Sequence, residues 1–571
     1  MKQDMYIHQR IQLEVMYFFV YLADLILRVR RVMREYLAKN AILQLRAYKE
    51  SLAAANDPLT RAYCDFNRNR LKPPAAEDRG VILMDCFPIP VWVAANGILA
   101  NCLAKREEAQ ICSYDVSPRV PLVDALYQSF ECNTHLLVRL AKAERKKRHR
   151  LFIKFVAAIQ TKQDLFDLTL GGVQIGDETY ETILRQFSKP TVEVNSFKSR
   201  YVLFAALNYY LYFENFFALN RVAAVVLSHD IYVSMGILAK IAWKNAVPVY
   251  LANGHEMKKT MESKQEYQEF RNYREYFSRL PLDEQENGME WGRAQLNKRL
   301  EGQVGVNMGY STKSAYTAGA IERQTLSLNK TKIVIATHCF FDNPRAYGGM
   351  LFTDFYEWIS FLGQISEITD YDWYIKTHRD YLPGTIEALK TLCERWPKIK
   401  LIDAEASWHQ LKEEGVSVAL TCYGSVGHEL PLLGYKVINA GYNPHIAYDF
   451  NWHPKSIVEY REMLLNLDGL GDIRGLDTMY EFYFVHYNLI KKGGFLFDSF
   501  EEMGEYVKRD VRSNQIFEKF VEGDEAFQSK AVRVVEKFLD SGAFSISNLA
   551  IMPTRNFKSD ADIKNASAKL R

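Results

Sequence analysis

The sequence lacks several patterns that would place it in a familiar functional class. Its eight cysteines form no CxxC pair, which argues against a zinc knuckle and against a disulfide framework. It contains no Walker A sequence, no low-complexity tract and no apparent internal repeat. An Asp-x-Asp at Asp560 to Asp562 falls in the polar C-terminal tail, and none follows a predicted strand. We therefore expect neither a bound metal nor ATP hydrolysis at a P-loop.

Charge of either sign is not in excess, because 72 Lys and Arg nearly balance 69 Asp and Glu for a net charge of +3. Composition therefore gives no argument for a nucleic acid partner, and none is expected. One dense basic segment, KAERKKRHR from Lys142 to Arg150, lies on a predicted helix. A solvated helix face is the favoured interpretation, and docking to an anionic surface, either membrane or polymer, is the alternative.

The apolar segment VMYFFVYLADLIL, from Val15 to Leu27, is too short to span a bilayer, which takes about 20 apolar residues. Its polar residues fall in one narrow stripe on a helix, so most of that helix must be buried. Packing against the rest of the protein is favoured, and a membrane interface is the alternative. Because no secretory signal is present, we predict reduced thiols and a cytoplasmic protein, with a peripheral location at the inner face of the cytoplasmic membrane as an alternative.

Hydrophobic residues make up 48% of the chain, which indicates a globular protein. Short apolar strands alternate with helix-sized segments in two separate regions, and this rhythm predicts two doubly wound parallel α/β sheets. The predicted division is a helical region at 1–75, a first Rossmann-like domain at 76–255, a helical connection at 256–330, a second Rossmann-like domain at 331–485, C-terminal helices at 486–550 and a polar tail at 551–571.

Polar residues follow the predicted strands of the first domain. The strand VAAVVLSHD ends in Ser228, His229 and Asp230, and VPVYLANG ends in Asn253 and Gly254. Ligands of open parallel sheets sit beyond the carboxyl ends of the strands, so these residues are candidates for the cleft. Capping of the loops is the structural alternative for each of them.

The segment TCYGSVGHELPLLG, from Thr421 to Gly434, is predicted to join a strand to a short helix. Gly424, Ser425 and Gly427 form a turn whose backbone a phosphate can approach closely. Glu429 follows just inside the helix, where a carboxylate can accept hydrogen bonds from ribose hydroxyls. Together they are typical of a nucleotide clamp, although a carboxylate complementing the helix dipole explains Glu429 equally simply.

Neighbouring segments add phosphate ligands at the same predicted sheet edge. Lys376 and His378 end one strand, while His338 ends another and is followed closely by Arg345. His445 follows a third strand in the segment GYNPH. Lys, His and Arg side chains that converge with a Gly-Ser turn predict a pocket for a phosphorylated nucleotide.

Several of these segments resemble the bacterial capsule and surface-polysaccharide biosynthesis glycosyltransferases of GT-B architecture, a group that includes the Kdo transferases of capsule assembly. The resemblance spans residues 200 to 490. It rests on VLSHDIYVSMGILAKIAWKNAVPVYLANG, THCFFDNPRAYGGMLFTDFYEWI, WYIKTH, YGSVGHELPLLGYKVINAG and NPHIAYDFNWHPKSIVEYREMLLNL. Where that family commonly has Lys-Pro-His-Pro, this chain has Lys376, Thr377, His378 and Arg379, so the histidine is kept and both prolines are missing.

The resemblance implies an α/β GT-B fold of two Rossmann-like domains facing across a cleft, with N-terminal and central helical additions. It implies a nucleotide-sugar donor on the C-terminal domain, a glycan or glycolipid acceptor on the N-terminal domain, and no cofactor or metal. An inverting transferase needs a general base, for which His229, Asp230, His338 and Asp342 are the candidates. Asp230 or Asp342 is the favoured base, and Lys376, His378 and Arg345 would stabilise the leaving phosphate.

Two other functions remain open at this stage. A sugar-nucleotide 2-epimerase would share the two-domain architecture and the Gly-Ser-x-Gly-x-Glu turn, but it would not need the helical additions. A non-catalytic subunit of polysaccharide assembly would keep the fold without turnover, and the two missing prolines are the feature that favours it.

Overall fold

A computed structural model describes residues 36–71, 80–262, 269–308, 312–317, 322–326, 329–341, 344–345, 349–381, 383–491, 494–507 and 513–551. The apolar segment from Val15 to Leu27, the candidate base Asp342 and the polar tail from residue 552 lie outside these ranges.

The first sheet has six strands in the order β3-β2-β1-β6-β7-β8. Five are parallel, and β8 pairs antiparallel with β7. The order in which successive strands are added to the sheet reverses between β1 and β6, which makes that junction the topological switch point. The strands of this first sheet are β1 (Val81–Asp85), β2 (Gln110–Asp115), β3 (Thr134–Leu137), β6 (Val222–Leu227), β7 (Val249–Ala252) and β8 (Met257–Thr260). A separate hairpin is formed by β4 (Thr169–Leu170) and β5 (Val173–Gln174).

Helices cover both faces of this sheet. Pro90 opens one of them, as suits a residue whose missing N–H would have no partner in a first turn. The helices are α1 (Tyr36–Ala55), α2 (Pro58–Arg70), α3 (Pro90–Glu107), α4 (Pro121–Ser129), α5 (Lys142–Ala158), α6 (Lys162–Phe166), α7 (Gly176–Phe187), α8 (Phe197–Leu219) and α9 (Ile237–Lys244). A π-helical turn, Tyr232–Gly236, precedes α9 where the sequence predicted a regular helix start.

Among the described residues, α8 is the one helix long and apolar enough to cross a membrane by length and composition. Val202, Leu203, Ala206 and Leu207 on its inner face are fully buried in the core between the sheet and α7. The helix is therefore built into the first domain.

The second sheet has five parallel strands in the order β11-β10-β9-β12-β13, so its switch point lies between β9 and β12. The two parallel, doubly wound sheets that the apolar runs predict are thereby confirmed. The strands are β9 (Lys332–Ala336), β10 (Asp372–Lys376), β11 (Ile399–Leu401), β12 (Val416–Thr421) and β13 (Lys436–Asn439), and the helices are α12 (Phe355–Ile368), α13 (Thr385–Arg395), α14 (Trp408–Glu413), α15 (Ile457–Leu465) and α16 (Thr478–Tyr487).

The remaining helices tie the two sheets together. In the connection, α10 (Tyr273–Ser278) and α11 (Leu282–Leu300) pack on α16 of the second domain. The C-terminal helices return to the first domain, where Phe517 stacks on Tyr63 with ring centroids 4.1 Å apart. These helices are α17 (Phe500–Tyr506), α18 (Ile516–Val521), α19 (Asp524–Ser541) and α20 (Asn548–Ile551).

Direct contacts also join the two domains around Asp354, the N-cap of α12. Its buried carboxylate accepts hydrogen bonds from the Tyr180 hydroxyl at 2.5 Å and the Thr191 hydroxyl at 2.7 Å. Beside it, Arg345 and Glu181 form an ion pair of 2.7 Å. The two sheets are thus held by polar contacts as well as by shared helices.

Candidate functional site

A cavity of about 450 Å³ lies at the carboxyl edge of the second sheet. Residues after β9, β10 and β12 line it, so it sits at the switch point where open parallel sheets bind ligands. The lining residues are Met308, Thr337, His338, Cys339, His378, Asp380, Tyr381, Thr385, Tyr423, Gly424, Ser425, His428, Pro444, His486 and Tyr487.

The Gly424-Ser425 turn forms one wall, as predicted, but the predicted helix after it is absent. Two short 3-10 turns, Ser425–His428 and Leu430–Leu433, take its place, so the macrodipole of an α-helix does not act here. The Gly424 N–H donates to Thr421 Oγ1 at 3.1 Å, and a Cβ on Gly424 would lie only 2.8 Å from that oxygen. No described residue hydrogen bonds to the Ser425 hydroxyl, which remains available to a ligand.

The N-terminus of α13 forms the opposite wall, a feature that the sequence-based prediction missed. Gly384 has φ +89°, which lets the chain turn sharply into the helix. Thr385 is only 2% exposed, and its Oγ1 has no hydrogen-bond partner although it lies at the cavity. A buried hydroxyl without a partner is costly, so a ligand acceptor at this helix start would satisfy it.

Two histidines at this edge are fixed as neutral donors. The His338 Nε2 accepts the Cys422 N–H at 3.3 Å, which leaves the proton on Nδ1. Burial, together with the nearby His378, lowers the pKa of His338 to about 3. The His378 Nδ1 accepts the Asp380 N–H at 3.0 Å, and burial lowers its pKa as well. Each ring therefore keeps one N–H and carries no charge at neutral pH.

His428 and His486 complete the far wall and were not predicted. The His428 Nε2 lies 2.9 Å from the Tyr487 hydroxyl, and the His486 Nδ1 lies 2.9 Å from the Tyr273 hydroxyl. Burial lowers the pKa of His428 to about 4 and that of His486 well below its ordinary value. Among the lining residues named above none is Lys or Arg, so hydroxyls and neutral N–H groups supply the hydrogen-bond donors. Asp380 is the one carboxylate in this lining, and it accepts hydrogen bonds from the Thr312 N–H and hydroxyl.

Glu429, predicted to hold a ribose, does not line the cavity. Its buried carboxylate accepts hydrogen bonds from Arg299 Nε and from the Tyr316 hydroxyl, one on each oxygen. Burial alone would raise the pKa of Glu429, but Arg299, His428 and the hydrogen bonds hold it below its ordinary value. The carboxylate is therefore engaged inside the protein, and the ribose contact stays a prediction that this placement does not favour.

Four other predicted nucleotide ligands also lie outside the lining. Lys376 donates to the Ala404 carbonyl at 2.6 Å, and burial lowers its pKa to about 8. Arg345 is paired with Glu181 at the domain contact. His445 is fully buried against Gly427, where an added Cβ would lie 2.5 Å from its Nε2. Gly427 thus leaves room for His445, and this accounts for a glycine at position 427 without a bound phosphate.

Candidates for a catalytic base occur at the switch point of the first sheet. His229 and Asp230 follow β6, and the His229 ring packs edge-on against Phe87 at 5.4 Å. Asp85, which was missed, ends β1 and accepts the Ser228 N–H at 3.1 Å. Its Oδ1 is buried without a partner, and burial raises the pKa of Asp85 to about 6. Of the three predicted catalytic residues that the structure describes, His229, Asp230 and His338, only His338 lines the cavity.

Some of the missed residues carried a signal in the sequence. Asp85 ends a buried strand in the same way as the residues that were selected, and Gly384-Thr385 follows a proline in a pattern typical of a helix start. His486 and Tyr487 lie about 60 residues from the turn, inside a helix, and nothing local marks them. In the described part of the chain, no group of three or more His, Cys, Asp or Glu is arranged to hold a metal ion.

No protein-family model matches the chain, and no curated protein matches it significantly. Solved structures match weakly. The KpsC β-Kdo 2,4 transferase of Thermosulfurimonas dismutans is 12% identical, with 46% of this chain and 79% of that one covered and a TM-score of 0.27. The UDP-GlcNAc 2-epimerase of Neisseria meningitidis bound to UDP-GlcNAc is 9% identical, with 75% and 98% covered and a TM-score of 0.19. Anabaena Alr3699/HepE in complex with UDP is 10% identical, with 72% and 94% covered and a TM-score of 0.21. Matches with such low identities and TM-scores carry no inference about the function of this chain.

Proposed function

We propose that the chain is a glycosyltransferase of GT-B architecture that moves a sugar from a nucleotide-sugar donor to a growing capsule or lipopolysaccharide-type polysaccharide. The observation that carries the proposal is the cavity at the switch point of the second sheet, with Ser425 on one wall and Thr385 on the other. Its volume of about 450 Å³ is in the usual range for small-molecule ligands. The donor is the substrate, and no cofactor is invoked.

In this proposal the donor's phosphoryl oxygens lie between the two walls. The Ser425 hydroxyl, the Thr385 hydroxyl and the N–H groups at the start of α13 would donate to them. His338 and His378 each add one neutral N–H. Fixed donors aimed at a leaving phosphate stabilise the charge that develops as the glycosidic bond breaks, without reorganisation of solvent.

The acceptor binds in this proposal at the carboxyl edge of the first sheet, facing the donor across a cleft. A carboxylate there would take the proton from the attacking hydroxyl. Asp230 keeps the role predicted from the sequence, and Asp85 joins it because its carboxylate has one unpartnered oxygen and a pKa raised by burial to about 6. Both are expected to be needed for turnover and dispensable for donor binding.

Assays of sugar transfer from nucleotide-sugar donors test the proposed function most simply. The protein is incubated with CMP-, CDP-, UDP- and GDP-sugars with and without oligosaccharide acceptors, and products are separated by mass spectrometry. Transfer to the acceptor, or slow hydrolysis of one donor, supports the glycosyltransferase. A 2-epimerised sugar nucleotide with no transfer would support the epimerase instead. Binding of a nucleotide with no turnover of any donor would support the non-catalytic subunit.

A further inference from the structure

Helix α5 presents an exposed basic surface on the first domain. Six of its exposed side chains are Lys or Arg: Lys142, Arg145, Lys146, Lys147, Arg150 and Lys154. Glu144 is the only acidic residue of this helix. None of the six forms an ion pair with a described residue. Their charge is therefore not neutralised within the described part of the protein.

Helix α8 presents an aromatic stripe beside that surface. Phe197 is 51% and Tyr201 is 50% exposed, and their rings stack with centroids 6.4 Å apart. Phe204 continues the same stripe three residues after Tyr201. Asn208, four residues after Phe204, lies on the same side of the helix. Two half-exposed aromatic rings in contact with each other are unusual on a surface that meets only water.

Contacts between the two helices hold the basic surface and the aromatic stripe on neighbouring elements. The Arg148 guanidinium lies 3.9 Å from the centroid of the Phe204 ring and donates to Asn208 Oδ1 at 2.6 Å. Phe152 packs edge-on against the same ring at 5.4 Å. Helix α5, which carries the basic surface, therefore packs directly on the aromatic stripe of α8 through Arg148 and Phe152. We call the six exposed basic residues of α5 together with Phe197 and Tyr201 the basic aromatic face.

We propose that the basic aromatic face docks on an anionic phospholipid bilayer. Lys and Arg side chains of α5 meet the headgroups, since each basic residue near such a surface adds favourable electrostatic energy. Phe197 and Tyr201 enter the interfacial layer, where aromatic side chains are favoured. A soluble polyanion would use the charge alone and would leave both rings in water. The inner face of α8 stays in the protein core, so the helix lies on the membrane without crossing it.

Vesicle sedimentation with the full chain tests the proposal. Vesicles of phosphatidylcholine alone are compared with vesicles containing about one third phosphatidylglycerol. We expect binding only to the anionic vesicles, and weaker binding as salt increases. The triple variant Lys146→Glu, Lys147→Glu, Arg150→Glu is expected to bind at least about tenfold more weakly. The matched control reverses three exposed lysines elsewhere, Lys298→Glu, Lys390→Glu, Lys400→Glu, and is expected to keep most of the binding.

A second variant distinguishes binding to a lipid bilayer from binding to a soluble polyanion. Phe197→Ser, Tyr201→Ser keeps every charge and is expected to reduce vesicle binding about tenfold while retaining its salt dependence. Circular dichroism and thermal unfolding of each variant confirm that it is folded. Absence of binding to anionic vesicles would overturn the proposal, as would equal losses in the two triple variants. Unchanged vesicle binding in the aromatic variant, with full competition by heparin, would also overturn it and indicate a polyanion partner. The proposal is independent of the glycosyltransferase, so its failure would not affect that assignment.

Discussion

Arg299 of α11 and Glu429 of the segment after β12 form a buried ion pair that links the helical connection to the second domain. The residues are 130 positions apart in the sequence, and their side chains are 10% and 1% exposed. The Tyr316 hydroxyl donates to the other carboxylate oxygen. The glutamate that the sequence suggested as a nucleotide ligand therefore stabilises the fold beneath the cavity.

Glu429→Gln is expected to lower the free energy of unfolding by about 3–5 kcal/mol, because it leaves the Arg299 charge buried without a counterion. Glu50→Gln is the control: its pair with Arg46 is exposed, and the expected change is about 0–1 kcal/mol. Denaturant unfolding measures both.

The stability lost in Glu429→Gln should depend on pH, because the pKa of Glu429 is lowered in the folded protein. A carboxylate with a depressed pKa in the folded state adds stability above its unfolded-state pKa, and that stability is lost as pH falls through the folded-state value. The gap between wild type and Glu429→Gln should therefore narrow in acid. A gap that stays constant down to low pH would contradict the ion pair.

Gly424→Ala is expected to abolish nucleotide binding and to cost about 1–3 kcal/mol of stability, because the added Cβ would meet Thr421 Oγ1 at 2.8 Å and His338 Cε1 at 3.3 Å. Gly504→Ala is the control, since nothing lies within 4 Å of its added Cβ and it sits in a helix. Calorimetric titration and thermal unfolding measure the two effects. Normal nucleotide affinity in Gly424→Ala would show that the turn does not contact the ligand.

Affinity for a sugar nucleotide is expected to be constant between about pH 6 and pH 8. Burial lowers the pKa of His338 to about 3, that of His428 to about 4 and that of His486 well below its ordinary value, so acidification in this range protonates none of these three rings. Burial also lowers the pKa of His378. A sugar nucleotide is the suitable probe because its phosphate esters do not titrate there. Tightening of about tenfold per pH unit on acidification would mean that a charged imidazole binds the phosphate.

Asp85 is expected to impose a pH dependence on stability, because burial raises its pKa from 3.8 to about 6. The folded state then binds the proton more tightly than the unfolded state, so stability falls as pH rises through this window, by up to about 1.4 kcal/mol per unit. Asp85→Asn should remove that decline, whereas the exposed control Asp167→Asn should not. Identical pH profiles for wild type and Asp85→Asn would contradict the buried carboxylate.

The sequence was sufficient for the central strands of the two sheets because these are short apolar runs bounded by turn residues, as in VILMD at β1 and VALT in β12. It also placed His338, His378, Gly424 and Ser425 at one edge, since parallel strands bring their carboxyl ends together. It did not predict β8, Met257–Thr260, whose sequence MKKT is mostly polar and which joins the first sheet from within the predicted helical connection at 256–330.

The sequence did not reveal in which direction each side chain points or which distant residues it contacts. Lys376 lies at the expected edge but turns toward the Ala404 carbonyl. Glu429 forms an ion pair with Arg299, and no local sequence pattern reveals that Arg299 lies beside it in the fold. The sequence marks Gly384-Thr385 as a helix start, but only the packed structure shows that the buried Thr385 hydroxyl has no hydrogen-bond partner.

Calorimetric titration of the protein with CMP, CDP, UDP and GDP tests most directly whether the cavity holds a nucleotide phosphate. We expect one of the four to bind the wild type and to bind the double variant Ser425→Ala, Thr385→Val at least about tenfold more weakly, since two hydrogen bonds to a charged group are lost. The control Ser278→Ala, Thr391→Val removes two exposed hydroxyls that bond only to helix carbonyls, and it should bind as the wild type does. Failure of all four nucleotides to bind the wild type, or equal affinity in the double variant, would contradict the assignment of this cavity as the donor site.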